Sequence, residues 1–146
     1  MKIGIGNDHS ALELKAEIIS FLKEKGHEVV DYGTNSSESC DYPVYGEIVA
    51  RAVAAGEVEQ GILICGTGLG ISLAANKVKG AYAALITDVY SAERARKSNN
   101  ANIACFGAFT IGIRLMERLA ETFLSSEFIP GCASQPKIDR IAAYER

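Results

Sequence analysis

The chain has 146 residues, of which 48% are hydrophobic and 23% charged, with a formal net charge of -3 at pH 7. That is the length of one domain, residues 1–146, with core enough to fold without a disulfide or metal staple. An acidic balance without a dense basic patch argues against nucleic acid as a partner, and no apolar run approaches the roughly 20 residues of a membrane span. Cys40, Cys65, Cys105 and Cys132 form no C-x-x-C pair and only His9 and His27 accompany them, which argues against a zinc site. The opening "MKIGIGNDHS" has no signal-peptide pattern, so the expectation is a cytoplasmic protein with reduced thiols.

Short β runs alternate with helical periods along the chain. Residues 2–8 read as a buried strand, and 11–26 as an amphipathic helix with Leu14, Ile18 or Ile19, and Leu22 at helical spacing before Gly26. A strand at 27–33, a polar loop at 35–43 and a helix at 44–57 follow. Residues 61–65 form the third strand, and a short helix begins within 68–77. A strand at 81–87, a charged helix at 91–99, a strand at 102–107 and a long helix at 110–126 complete the pattern. The tail 127–146 carries Pro130, Gly131 and Pro136 and then a short helical pattern, and has the reach to touch a second subunit. Five apolar strands separated by helices predict a Rossmann-like three-layer α/β/α sandwich on a five-stranded parallel sheet. Ligands of such folds bind at the carboxyl ends of the strands.

The third strand ends in "ICGTGLGI", residues 64–71. A thiol there faces glycines that let a ligand approach the backbone, and a helix start whose free N–H groups favour an anion. Cys65 as a thiolate can serve as base or nucleophile, and Thr67 adds a hydroxyl. A cysteine closing a core strand is also ordinary packing, which is the reading for Cys105. The glycine spacing, placed after the third strand and without a P-loop lysine, matches a nucleotide fingerprint poorly. Asp8 and His9 close the first strand, where they either bind a polar ligand or cap the first helix. First and third strands are usual neighbours, so Asp8, His9, Cys65 and Thr67 are expected to converge. Tyr42 is either a site aromatic or a loop anchor, and Asn99 either a ligand contact or part of a helix C-cap with Asn100.

"GNDHSALELK", "VVDYGT", "DYP", "GILICGTGLGISLAANK" and "SNNANIACFG" occur in the order seen in the RpiB/LacA/LacB family of sugar-phosphate isomerases, which the chain resembles over residues 1 to about 126. Within that family the ribose-5-phosphate isomerase B type is the most similar. The resemblance implies an enzyme that interconverts an aldose and a ketose phosphate through an enediol, with no metal or organic cofactor. It implies Cys65 as the base and Thr67, with the amides of Gly66, Gly68, Leu69 and Gly70, as the groups that stabilise the enediolate. Asp8, His9, Tyr42 and Asn99 would hold the sugar phosphate, in a homodimer or homotetramer with shared active sites. The chain departs from the family at three cationic positions. Ser98 stands where the family has a ring-opening His, Phe109 where it has a phosphate-binding Arg, and Cys132 where its tail has another. Lys137 is the remaining cation aligned with a family arginine, with Arg140 nearby. These departures leave open an open-chain tetrulose phosphate such as erythrulose 4-phosphate, allose or galactose 6-phosphate, or a free sugar as substrate, arginines from a paralogous subunit, or a binding protein without turnover.

Overall fold

A computed structural model describes residues 1–145. Its strands are β1 (Lys2–Asn7), β2 (Glu28–Asp31), β3 (Gln60–Cys65), β4 (Ala83–Leu85) and β5 (Ile103–Gly107). All pair in parallel, in the order β2-β1-β3-β5-β4. The helices are α1 (Leu12–Glu24), α2 (Tyr42–Ala54), α3 (Leu69–Ala75), α4 (Val89–Lys97), α5 (Ile113–Ser125) and α6 (Gln135–Ala143). A 3₁₀ turn at His9–Ala11 precedes α1. This is the three-layer α/β/α sandwich that the alternation of elements predicts. Among the described residues, no helix is long and apolar enough to cross a membrane.

The strand period of two sorts each central strand between two cores. Ile3 and Ile5, Ile62 and Ile64, and Ala104 and Phe106 face α1, α4 and α5. Leu63 and Cys65, and Ile103 and Cys105, face α2 and α3. The thiol of Cys65 therefore emerges on the α2/α3 side of the sheet.

Helix boundaries moved where local chemistry outweighed periodicity. α2 begins at Tyr42, two residues before the predicted start, because Pro43 fits the first turn, where no N–H is needed. α4 begins at Val89 because the Asp88 carboxylate accepts from the Ser91 N–H. β4 is three residues long, not seven. Asn76 takes both the N–H and the carbonyl of Ala83 on its side chain, in place of a neighbouring strand. β4 is thus the sheet edge, with its free groups partly satisfied.

Candidate active site

β1, β3 and β5 lie side by side and end together. Asp8 N–H donates to the Ile64 carbonyl at 3.1 Å, and Ala108 N–H to the Cys65 carbonyl at 2.8 Å. These bonds place the residues that follow the three strands around one loop. Asp8, 8% exposed, caps the 3₁₀ turn by accepting from the Ser10 N–H at 3.0 Å, and its carboxylate also takes the Ser10 hydroxyl. The capping reading of Asp8 is what the geometry displays.

Cys65 is 4% exposed, and its Sγ accepts from the Gly68 N–H at 3.1 Å. A backbone N–H aimed at sulfur is a partner suited to negative charge. The loop can turn back on the thiol because Gly68 has a φ of +78°, a conformation that L side chains rarely adopt. A Cβ there would also meet the Leu85 side chain and the Phe106 backbone. Thr67 is exposed beside the thiol, and its Oγ1 accepts from the Leu69 N–H at 3.2 Å. Cys105 is fully buried, and desolvation first, with Cys65 nearby second, pushes its thiol well above the ordinary range. It stays protonated and belongs to the core, as the sequence predicts.

Tyr42 lies with its ring against Gly70, so close that a Cβ at Gly70 would overlap it. The aromatic is therefore at the loop, delivered there by the segment that enters α2. Phe109 is 77% exposed, and its N–H donates to the Gly66 carbonyl at 2.9 Å. Its ring carbons come within 3.0 Å of the Cβ position of Gly66. His9 lines a cavity of about 540 Å³ with Ser10, Glu13, Ser37, Ala108 and Ile111. No Lys or Arg among the described residues lines that cavity.

Two predicted residues do not join this group within one chain. α4 starts at the carboxyl edge of the sheet and runs back, so Ser98 and Asn99 lie at its amino edge, where Asn102 N–H meets the Tyr82 carbonyl. Asn99 lines a different cavity, of about 420 Å³, with Arg94, Ile138 and Ile141. Asn100, at φ +50°, supplies the left-handed residue after α4, so the C-cap reading fits it better than Asn99. Lys137 is exposed on α6, the helix that supplies Ile138 and Ile141 to that second cavity.

Two contributors escaped the sequence reading. Lys15 is buried on α1, and its ammonium meets Asp31, the Thr34 carbonyl and Asn35, tying down the loop after β2. A signal existed, since Ala11, Lys15, Ile18 and Leu22 fall on one helical stripe. Cys40 meets His9 from a loop 31 residues away, and nothing in the sequence marks that contact.

A sequence model of the ribose/galactose isomerase family matches residues 3–141. The chain belongs to this family, whose members are aldose–ketose isomerases. It is 45% identical to ribose-5-phosphate isomerase B of Escherichia coli (strain K12), over 99% of this chain and 97% of that one. It is 42% identical to D-erythrulose-4-phosphate isomerase of Pectobacterium atrosepticum, over 99% of this chain and 95% of the other. The fold matches the solved structure of Clostridium thermocellum ribose-5-phosphate isomerase B with a TM-score of 0.95 at 48% identity, covering 98% of this chain and 96% of that chain.

Proposed function

We propose that this protein, acting as one domain, interconverts ribose 5-phosphate and ribulose 5-phosphate, with Cys65 as the proton-transferring base. The observation that carries the reading is the Cys65 thiol, seated beneath the glycine loop with the Gly68 N–H on its sulfur. In the aldose-to-ketose direction the thiolate takes the C2 proton and O1 accepts one, giving a cis-enediol. Loss of the O2 proton and return of a proton to C1 complete the ketose. Thr67 and the amides of Gly66, Gly68, Leu69 and Gly70 stabilise negative charge on the enediolate oxygens, where fixed donors act most strongly. Asp8 and His9 hold the sugar or its phosphate, and Tyr42 contacts its hydroxyls. The chemistry needs no organic cofactor or metal. A cytoplasmic setting with reduced thiols suits a catalytic cysteine.

Asn99 and Lys137 reach substrate from a second copy of the chain. What supports this is their grouping with α6, away from Cys65, so that a dimer with shared sites, or a tetramer of such dimers, completes both sets. The tail from residue 127 then lies at the subunit interface, with residue 146 outside the described residues.

A second reading is favoured by Ser98 and by the exposed Phe109 ring over Gly66. The likeness to a D-erythrulose-4-phosphate isomerase points the same way. In that reading the substrate is a four-carbon sugar phosphate, which cannot close a furanose ring through its phosphorylated oxygen. Proton NMR in deuterium oxide separates the two. Deuterium entering C2 of ribose 5-phosphate with ribulose 5-phosphate appearing, both lost in Cys65→Ala, is the expected result. Exchange only with erythrose or erythrulose 4-phosphate selects the second reading, and no exchange with any sugar phosphate rejects both.

A further inference from the structure

We infer that Cys40 is a positioning residue for His9. Its backbone N–H fixes the imidazole as the Nε2–H tautomer, so that His9 meets substrate as a neutral hydrogen-bond donor and not as a base. The inference deepens, and rests on, the reading above that His9 holds the sugar phosphate.

The Cys40 N–H reaches His9 Nδ1 at 3.2 Å. A backbone N–H can only donate, so Nδ1 must present its lone pair and carry no proton. The proton of a neutral imidazole then sits on Nε2. The Cys40 thiol lies 3.7 Å from the same nitrogen and, as a weak S–H donor, acts in the same sense. The carboxylate adjacent in sequence is turned to the Ser10 N–H and hydroxyl, which both reach Asp8 Oδ1. Nε2 takes no partner from the described residues. The ring lines the 540 Å³ cavity, with Ser10, Ser37 and Glu13 on the same walls; Ser10 Oγ in turn lies 3.9 Å from the Cβ position of Gly66. An Nε2–H there suits an oxygen acceptor on substrate, whether hydroxyl, ring oxygen or phosphate oxygen. It cannot take a proton from carbon, which leaves that task to Cys65. The same loop carries Tyr42 two residues later onto Gly70, so one segment sets both groups.

The test is long-range ¹H–¹⁵N correlation NMR of the nitrogen-labelled full-length protein at about pH 8.5, above the ordinary imidazole range. His9 and His27 are the only imidazoles, and His27→Gln isolates His9. The expected spectrum shows an unprotonated Nδ1 and a protonated Nε2, retained in Cys40→Ser and lost to a tautomer mixture in Cys40→Pro. An Nδ1–H spectrum, a mixture in the wild type, or a wild-type spectrum in folded Cys40→Pro overturns the inference. If Cys40→Pro does not fold, the wild-type spectrum decides. Kinetics give an independent reading. His9→Gln, whose amide nitrogen falls near Nε2, is expected to keep kcat/KM within ~10-fold, while His9→Asn, whose amide falls near Nδ1, loses ~100-fold. Equal losses in the two overturn the donor role. An Nε2–H spectrum from a protein that isomerises no sugar phosphate would sink the proposed activity and leave the tautomer assignment. An Nδ1–H spectrum from an active enzyme would do the reverse.

Discussion

Cys65 and Cys105 sit on the same face of neighbouring strands, yet their surroundings assign them opposite fates. Cys105 is fully buried and burial, with Cys65 nearby, keeps its proton on, whereas Cys65 receives a backbone N–H and lies two residues before the exposed Thr67. Cys65→Ser is therefore expected to lower kcat by about 10²–10⁴, the usual contribution of a positioned base, with an unchanged melting transition. Cys105→Ala is expected to do the reverse. It should cost about 1–2 kcal/mol in urea denaturation, for lost packing, with kcat unaltered. Activity loss in both, with stability intact, would contradict the division. At Gly70 a methyl group would displace the Tyr42 ring. Gly70→Ala should accordingly raise KM in steady-state assays, and do so less in a Tyr42→Ala background, because the two changes act on one contact.

Among the elements, the connection from β2 toward α2 shows how a loop is held without regular structure. Lys15, on α1, places its ammonium against Asp31, the Thr34 carbonyl and Asn35, and so fixes the start of the segment that later presents Cys40 and Tyr42. Lys15→Met leaves a buried carbonyl and a half-screened carboxylate without their donor. The expected loss is about 2–3 kcal/mol in denaturant unfolding, with a fall in activity because the loop loosens. At the start of β2, His27 accepts contact from the N-terminal ammonium, and burial first and that charge second hold its pKa below 6.5. The unfolded chain therefore takes up the proton first as pH falls. The stability that neutral His27 contributes is present above about pH 6.5 and declines as pH drops from there toward the lower folded value. Chemical denaturation midpoints should fall between pH 7.5 and 5.5 (~one pH unit either side of the ordinary imidazole value) by more in the wild type than in His27→Gln. Equal slopes would remove His27 from the explanation.

For the whole molecule, the fold separates residues that the proposed function needs together. Parallel strands bring Asp8, His9, Cys65 and Phe109 to one edge, and the return of α4 carries Asn99 to the other. A shared site then predicts complementation. Cys65→Ala and Asn99→Ala, each inactive alone, should regain ~a quarter of wild-type activity when unfolded and refolded together at equal amounts. Half of the dimers are then mixed, and each mixed dimer holds one intact site. Summed background activity in the mixture would instead place Asn99 outside the partner's site.

The layering, the parallel sheet and the loop at Cys65 are legible in the residue order alone. These depend on short-range patterns: apolar runs, helical spacing and glycines next to a strand end. Alternation of elements did the rest. Family membership was also legible, since long stretches such as "GILICGTGLGISLAANK" are specific in themselves. The element ends were less legible, because capping by Asp88, the fit of Pro43 in a first helical turn and the side-chain bonds of Asn76 to β4 are single contacts that periodicity does not register. Which candidates meet is a matter of the folded arrangement. It paired Cys40 with His9 across 31 residues, set Tyr42 on Gly70, buried Lys15 as a clamp and put Asn99 and Lys137 on a different face from Cys65. Such pairings depend on where distant segments arrive in space, and local residue patterns carry no record of that.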